Sequence, residues 1–175
     1  MTLGIGYAGT AFPPAETIAG TRHRPATADD LDGLVAMHGR CSSDSLYQRY
    51  LTGGRGPSPR VLARLLDPAF GQTHIVLSGE SVVGSGNLAR DGDSVEAALL
   101  VEDAWQRRGV GTALFARLLR EAAVAGYSSV LLHTHSSNLA IQRMIRRAAE
   151  RGFGPALWPA HVDGPLLTYL LPLST

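Results

Sequence analysis

Gln106-Arg107-Arg108-Gly109-Val110-Gly111-Thr112-Ala113 lies between an apolar run ending in Leu99-Leu100-Val101 and a segment, Thr112–Ala125, where Leu114, Phe115, Leu118, Leu119 and Ala122 recur at helical spacing. The pattern is a strand, a Gly-rich turn and a helix. A helix start leaves backbone N–H groups unpaired and carries a partial positive charge. An anion such as a pyrophosphate is therefore stabilised there if the chain can come close. Gly109 and Gly111 have no side chains to block that approach, and Arg107 and Arg108 add charge at the rim. Two other phosphate motifs fail. A dinucleotide fingerprint needs a third glycine where the chain has Leu114, and a Walker loop needs a Gly-Lys-Ser/Thr that is absent. A plain turn ahead of a packed helix is the remaining alternative.

Upstream of the turn, His74-Ile75-Val76-Leu77, the turn Ser78-Gly79-Glu80 and the run from Ser81 to Leu88 read as an antiparallel hairpin. Asp91-Gly92-Asp93 then leads into a strand over Val95–Val101. Nearer the start, Thr21–Ala26 reads as a short strand. Thr27 or Asp29 can cap a helix carrying Leu31, Leu34, Val35 and His38. Ser42 or Ser43 can cap a second helix through Leu51, and Gly53-Gly54-Arg55-Gly56-Pro57 breaks it. Ser58-Pro59 opens a third helix with Val61, Leu62, Leu65 and Leu66 expected inward. Downstream come a buried strand at Ser129–Thr134, a helix over Asn138–Arg151, and strands expected at Gly154–Trp158 and Pro165–Leu171. The expected architecture is a mixed α/β (α+β) fold with a mainly antiparallel central sheet flanked by helices. Residues 21–175 form one domain, and residues 1–20, small and rich in Gly and Pro, form a loose arm.

A chain of 175 residues suits one core and one active site. With 45% hydrophobic and 18% charged residues the composition is that of a soluble globular domain, and no apolar run approaches the roughly 20 residues of a membrane span. A net charge of +1 provides no general field for nucleic acid or anionic lipid, so anion binding has to be local. Cys41 is the one cysteine, which excludes an intrachain disulfide and any multi-thiolate metal site and fits a cytoplasmic location.

In this setting the sequence resembles the GNAT superfamily of N-acetyltransferases, whose defining segment is Gln/Arg-x-x-Gly-x-Gly/Ala after the fourth strand. Gln106-Arg107-Arg108-Gly109-Val110-Gly111 matches it, and the element order agrees over roughly Arg22–Pro172. The resemblance implies acetyl-CoA as co-substrate and no metal. It implies that the backbone of Leu99, Leu100 and Val101 pairs with the pantetheine arm. The amides of Arg107, Arg108, Gly109, Val110, Gly111 and Thr112, with Gln106 and Ala113 at either end, would hold the pyrophosphate. Asn138 would contact the cofactor after the fifth strand. Cys41-Ser42-Ser43-Asp44-Ser45-Leu46-Tyr47-Gln48-Arg49-Tyr50, with Glu96 and Asp103-Ala104-Trp105, is similar to actinobacterial-type protein lysine acetyltransferase domains, which suggests a protein lysine as acceptor. The implied partners are an acyl-CoA and an amine, small or on a protein, with neither nucleic acid nor membrane; a homodimer is left open.

An amine attacks a thioester only when neutral, and a lysine of pKa about 10.4 is neutral in roughly one molecule in 2,500 at pH 7. A general base is therefore useful. Glu96 lies on the strand that leads into the loop and shares a strand face with Ala98 and Leu100; the similar subgroup uses a glutamate at this position as its base. A solvated strand carboxylate or an ion-pair partner is the alternative for Glu96. Glu102 and Asp103 are weaker candidates, which can instead cap the turn or pair with Arg107 or Arg108. His133 and His135 flank Thr134 at the end of the fifth strand, within reach of a proton-transfer role. Tyr47, Arg49 and Tyr50 lie where members of the family shape the acceptor cleft, His133 is a further candidate acceptor contact, and Trp158 and His161 can wall the acceptor site. Many relatives place a tyrosine seven residues after the asparagine to protonate the departing thiolate; here that residue is Ile145. The general acid is therefore unassigned, and a non-catalytic acyl-CoA sensor stands as the second function. A ligand-free structural domain is a third.

Overall fold

The computed structural model describes residues 18–53, 56–150 and 159–173. Most of the expected arm, Gly54-Arg55, the strand expected at Gly154–Trp158 and the candidate Trp158 lie outside the described residues. Among the described residues, β1 (Arg22–Pro25), β2 (Gly71–Ser78), β3 (Ser81–Asp91), β4 (Ser94–Val101), β5 (Ser129–His135), β6 (His161–Asp163) and β7 (Leu166–Pro172) form a sheet in the order β1-β2-β3-β4-β5-β7-β6. Every neighbouring pair is antiparallel except β4 with β5. Three helices, α1 (Leu31–Arg40), α2 (Ser43–Tyr50) and α3 (Pro59–Leu65), separate β1 from β2. Helix α4 (Val110–Val124) connects β4 to β5, and α5 (Leu139–Glu150) follows β5.

Alternation along β4 assigns its residues to two cores. Val95 and Ala97 pack with Phe115, Leu118, Leu119 and Ala122 of α4 and with Met144, Ile145 and Ala148 of α5. Val101 joins Val110 and Leu114 beside them. Leu100 points the other way, to Leu34 and Met37 of α1 and Leu46 of α2. A Leu or Phe side chain taken out of water stabilises by about 1.5–3 kcal/mol. Packing therefore holds α4, whose N-cap, Gly109, has no side chain to offer. Gly86 of β3 lets α4 lie close, since a Cβ there would come within 2.8 Å of the Leu118 side chain.

Most expected elements are present, with local shifts. Helix α4 begins at Val110, two residues early, because Gly109 adopts φ 87° and turns the chain directly into the helix. Thr27 opens a single 3-10 turn, Ala28–Asp30, ahead of α1, and its N–H donates to the Asp30 carboxylate at 2.8 Å. Ser42 is the cap of α2, accepting from the Ser45 N–H. Val61, expected inward, is 46% exposed. Helix α3 has only seven residues and buries Leu62 and, just past its end, Leu66, so one edge of it meets the sheet. The short strand β6 has no counterpart in the sequence reading; its three residues are all exposed, so no alternation marks it. No helix among the described residues is long and apolar enough to cross a membrane.

Candidate active site

The feature that creates the site is a parting of two strands. β4 and β5 pair in parallel only at Ser94 with Ser129, Val95 with Val130 and Glu96 with Leu131. Beyond Glu96 they separate, and a cleft of about 600 Å³ opens between Ala97–Val101 on one side and Leu132, His133 and Thr134 on the other. Gly109, Gly111 and Thr112 from the start of α4 and Asn138 from the start of α5 also line it.

Hydrogen-bond alternation shows which backbone groups face this gap. The Glu102 N–H donates to the Val83 carbonyl at 3.0 Å, so Glu102 bonds towards β3. In an antiparallel ladder every second residue does the same, which directs Leu100, Ala98 and Glu96 to β3 and leaves the N–H and C=O groups of Ala97, Leu99 and Val101 facing β5. Past the parting, β4 thus presents an open strand edge to the cleft. It is Leu99 and Val101, with Leu100 turned to β3, that can pair with an extended ligand arm.

At the far end of this edge the loop closes over free donors. The first α4 bond runs from the Ala113 N–H to the Gly109 carbonyl, so the N–H groups of Val110, Gly111 and Thr112 have no partner within the helix. Arg107 also adopts a left-handed φ of 58°, a conformation uncommon outside glycine, which turns the chain sharply ahead of the helix. A Cβ at Gly111 would meet Val101 and Leu99 at ordinary contact, 3.6 and 3.7 Å, whereas one at Gly109 would come within 3.0 Å of Ile18 on an already strained backbone. Val110 and Ala113 are buried and anchor the turn from beneath. Arg108 stacks its guanidinium on the Trp105 ring at 5.1 Å, and Arg107 lies on the cleft wall. Free amides, a helix dipole and two exposed guanidinium groups suit a pyrophosphate, and the open β4 edge suits a pantetheine amide chain. The residues present therefore fit coenzyme A.

Gln106 ties the loop to α2. Its side-chain amide donates to the Val101 carbonyl at 3.0 Å and to the Ser45 hydroxyl at 2.9 Å. Asp103 receives the Ser42 N–H at 2.9 Å, the Ser42 hydroxyl at 2.6 Å and the Ser45 hydroxyl at 3.0 Å. Desolvation pushes the Asp103 pKa up, but the hydrogen bonds from Ser42 and Ser45 outweigh it and hold the carboxyl below its ordinary range. Glu102 pairs with Arg40 at 2.9 Å. Neither acid reaches for Arg107 or Arg108, the partners weighed from the sequence; both bind elements preceding the sheet centre instead.

Glu96 is the last β4 residue paired with β5, opposite Ala89 on β3 and Leu131 on β5. Its side chain lies on the α2 face, in the electrostatic neighbourhood of Arg49, one residue outside the cleft wall that begins at Ala97. Arg49 lines the cleft and donates to the Asn87 side-chain oxygen, Oδ1, at 3.1 Å. The Asn87 amide donates in turn to the Thr73 hydroxyl, and that hydroxyl to the Leu65 carbonyl. His133 lines the cleft and bonds through Nδ1 to the Thr168 hydroxyl at 2.9 Å. His135 bonds to Ser137 and packs against the Tyr47 ring, 5.9 Å between centroids, so Tyr47 stands at the rim. Tyr50 turns inward, its hydroxyl 2.7 Å from Nε2 of the buried His38. Since His38 Nδ1 donates to the Leu34 carbonyl, Tyr50 is the donor to Nε2 of the neutral ring. Burial pushes the Cys41 thiol up to about 11, which leaves it unreactive at neutral pH.

Asn138 caps α5, accepting the Ile141 N–H at 3.2 Å through its side-chain oxygen. The α5 residues on the cleft are Leu139, Ala140, Ile141, Arg143, Met144 and Arg147, while Ile145 is fully buried in the core. Met144 thus takes the cleft-facing place next to the position where Ile145 stood in for a tyrosine, and neither side chain can deliver a proton. Arg49 lines the cleft, as its place beside Tyr47 and Tyr50 in the acceptor-shaping segment leads one to expect, whereas Asn87 and Met144 are site residues to which sequence reasoning gave no role. The signals available were, for Asn87, an amide side chain within the strand run Ser81–Leu88 and, for Met144, the spacing of six from Asn138. Among the described residues no group of three His, Cys, Asp or Glu side chains is placed to hold a metal ion.

Comparison with known proteins agrees with this arrangement. A family model described as the acetyltransferase (GNAT) family matches residues 43–153, more than half of the chain. The GNAT domain of Streptomyces lividans PAT superimposes with a TM-score of 0.77 at 22% identity, covering 87% of this chain and 90% of that one. An N-acetyltransferase from Staphylococcus aureus Mu50 gives 0.68 at 17%, covering 89% and 100%. The acetyltransferase yncA of Salmonella typhimurium, solved with its cofactor acetyl-CoA, gives 0.67 at 21%, covering 89% and 95%. With its loop, its parted strands and this match in sequence, the chain belongs to the GNAT acetyltransferase family.

Proposed function

We propose that the chain is an acetyl-CoA-dependent N-acetyltransferase that acylates a primary amine by direct transfer within the β4–β5 cleft. The observation that carries this reading is the open β4 edge leading straight to the free amides at the start of α4. The amides from Arg107 to Thr112 hold the pyrophosphate, Leu99 and Val101 pair with the pantetheine arm, and Asn138 closes the far side. Acetyl-CoA supplies an activated acetyl thioester. Glu96, directly or through a water, takes the proton that the attacking amine must lose. The Val101 N–H, aimed into the gap, is placed to stabilise negative charge growing on the thioester oxygen. A thiol pKa of about 8–9 lets the sulfur leave as thiolate without a dedicated acid. A protein lysine is the acceptor favoured by the similarity of Cys41–Tyr50 to lysine acetyltransferase domains, and a cytoplasmic location belongs to the same proposal.

The test is acetyl-CoA binding and thiol release across a panel of amines and proteins. Glu96→Gln is expected to keep its acetyl-CoA affinity and lose roughly 100-fold or more in turnover. A wild-type chain that binds no acyl-CoA would sink the reading. The α5 face supports a second one: with Met144 and Ile145 where a proton donor could stand, the domain would be an acyl-CoA sensor, and acetyl-CoA binding without turnover on any amine would select it.

A further inference from the structure

Arg49 is a cation built into the cleft with no carboxylate among the described residues in direct contact, Glu96 acting on it only from a distance. Its guanidinium donates one hydrogen bond, to the neutral Asn87 side chain, and lies over the Tyr50 ring at 4.7 Å. Among the described residues no carboxylate comes within ion-pairing distance of it. Protein atoms crowd the guanidinium although part of the side chain reaches solvent, and burial pulls its pKa down while Tyr50 and Glu96 oppose that shift. A guanidinium carries five N–H donors in a planar fork that matches a carboxylate. One donor is used here and the rest remain.

The surroundings hold that fork still. The Asn87 amide nitrogen is committed to Thr73, and the Thr73 hydroxyl to the Leu65 carbonyl, so the Asn87 oxygen can only face Arg49. Asn87 sits opposite Ala98 on β4, at the level where the cleft opens. An arginine serving only to pack would lay its head in water or on an acid. This one is fixed by a relay of neutral groups, a ring and a strand, and turned to the place where substrates would meet.

We infer that Arg49 is a specificity-determining residue that binds a carboxylate carried by a substrate in the cleft. The carboxylate could sit on the amine acceptor, beside the reacting amine as in an amino acid or an acidic residue next to a lysine, or on the acyl chain as in a dicarboxylic acyl-CoA. This inference rests on the acyltransferase reading of the cleft, and it narrows the substrates to those with a negative charge near the transferred group.

Binding measurements separate the sources and do not depend on turnover. In the acceptor arm, the chain saturated with coenzyme A is titrated with L-lysine against cadaverine, and with the dipeptide Asp-Lys against Asn-Lys. In the acyl arm, succinyl-CoA is titrated against acetyl-CoA. In one arm the carboxylate-bearing member should bind roughly tenfold or more tightly, and Arg49→Gln should bring that ratio close to one. Arg49→Lys, which keeps the charge and loses the fork, should retain part of it. Thermal melts establish that each variant is folded; if Arg49→Gln is not, the ratio in Arg49→Lys decides. Ratios near one in both wild-type arms, a preference that survives substitution, or an equal loss for both members of a pair would overturn the inference. Wild type that fails to bind coenzyme A would break the acyltransferase reading itself, whereas coenzyme A binding without a carboxylate preference breaks this inference alone.

Discussion

The two walls of the cleft are made of different material. The wall at the start of α4 is backbone: amides freed by a glycine N-cap at φ 87° and a strand edge without a neighbour. The wall at α2 is side chain: Arg49 on Asn87, Ser42 and Ser45 on Asp103, Gln48 bonded to Ser137. A backbone wall recognises what every coenzyme A shares, its phosphates and amides, because its donors are the same in any sequence that can turn there. A side-chain wall can be rewritten one residue at a time without disturbing the other. On the acyltransferase reading, the division would set a common donor on one side and a variable acceptor on the other.

The largest expected break in that division comes from the backbone side. Gly109→Val forces a β-branched residue into a left-handed conformation that costs about 1–2 kcal/mol even for an unbranched one, and it collides with Ile18. Acetyl-CoA affinity, measured by calorimetry, should fall roughly tenfold or more. Gly111→Ala, which meets only ordinary contacts, should stay within about twofold, less than the tenfold per 1.4 kcal/mol that real strain would exact. Equal effects at the two glycines would show that bulk, and not backbone conformation, governs the loop.

The unequal legibility of the walls has the same origin. A glycine at a helix start announces a backbone demand in the sequence itself, so the loop and the strand before it could be read from Gln106–Ala113 and the apolar period after it. Arg49 could be placed near the acceptor cleft from its segment, but its bond to Asn87 joins positions 38 apart and exists only when β3 and α2 meet. The parting of β4 from β5 is equally invisible in one dimension, because nothing in the residue pattern of Val95–Val101 or Ser129–Thr134 marks where pairing between two distant strands stops. Glu96 could be chosen by its strand face, but its place just outside the cleft wall, on the Arg49 side, needed the register. Val61 was misassigned because a seven-residue helix has too few turns for periodicity to distinguish its inner edge.

Asn87→Ala probes the other wall. It leaves the Thr73 hydroxyl without its donor and Arg49 without its anchor, at a cost of about 1–3 kcal/mol in stability measured by urea unfolding. Its effect on acetyl-CoA affinity should be smaller than that of Gly109→Val. A larger one would mean that the walls are not separable.

A smaller effect is expected from acid. His74 is 1% exposed on β2, and neither of its ring nitrogens, nor those of His23 on β1, has a hydrogen-bond partner among the described residues. Burial is the main cause of a lowered pKa in both; Arg117 adds to it, and at His74 the Glu121 carboxylate opposes it without reversing it. Each ring is therefore neutral in the fold. The stability this represents is fully present above the unfolded histidine value near 6.5 and is lost as pH falls through the lower folded value. The melting temperature should decline from pH 7 to pH 5, and His74→Leu should flatten the decline. An unchanged slope would remove His74 from the account. The smallest change belongs to Arg108→Ala. The side chain is exposed and its visible contact is with Trp105, so acetyl-CoA affinity should weaken by only about 0.5–1 kcal/mol, and by less in high salt.

Ser45 donates its hydroxyl to Asp103 and accepts from Gln106, so one oxygen joins α2 to the loop that opens α4. That oxygen is a mechanical link between the acceptor side and the phosphate side of the proposed site. Any acceptor that tilts α2 strains the bond to Gln106 and is felt at the phosphate amides, and the thermodynamic cycle requires that cofactor binding alter acceptor affinity by the same factor. Communication between the two ends of the cleft would then pass through a single serine oxygen.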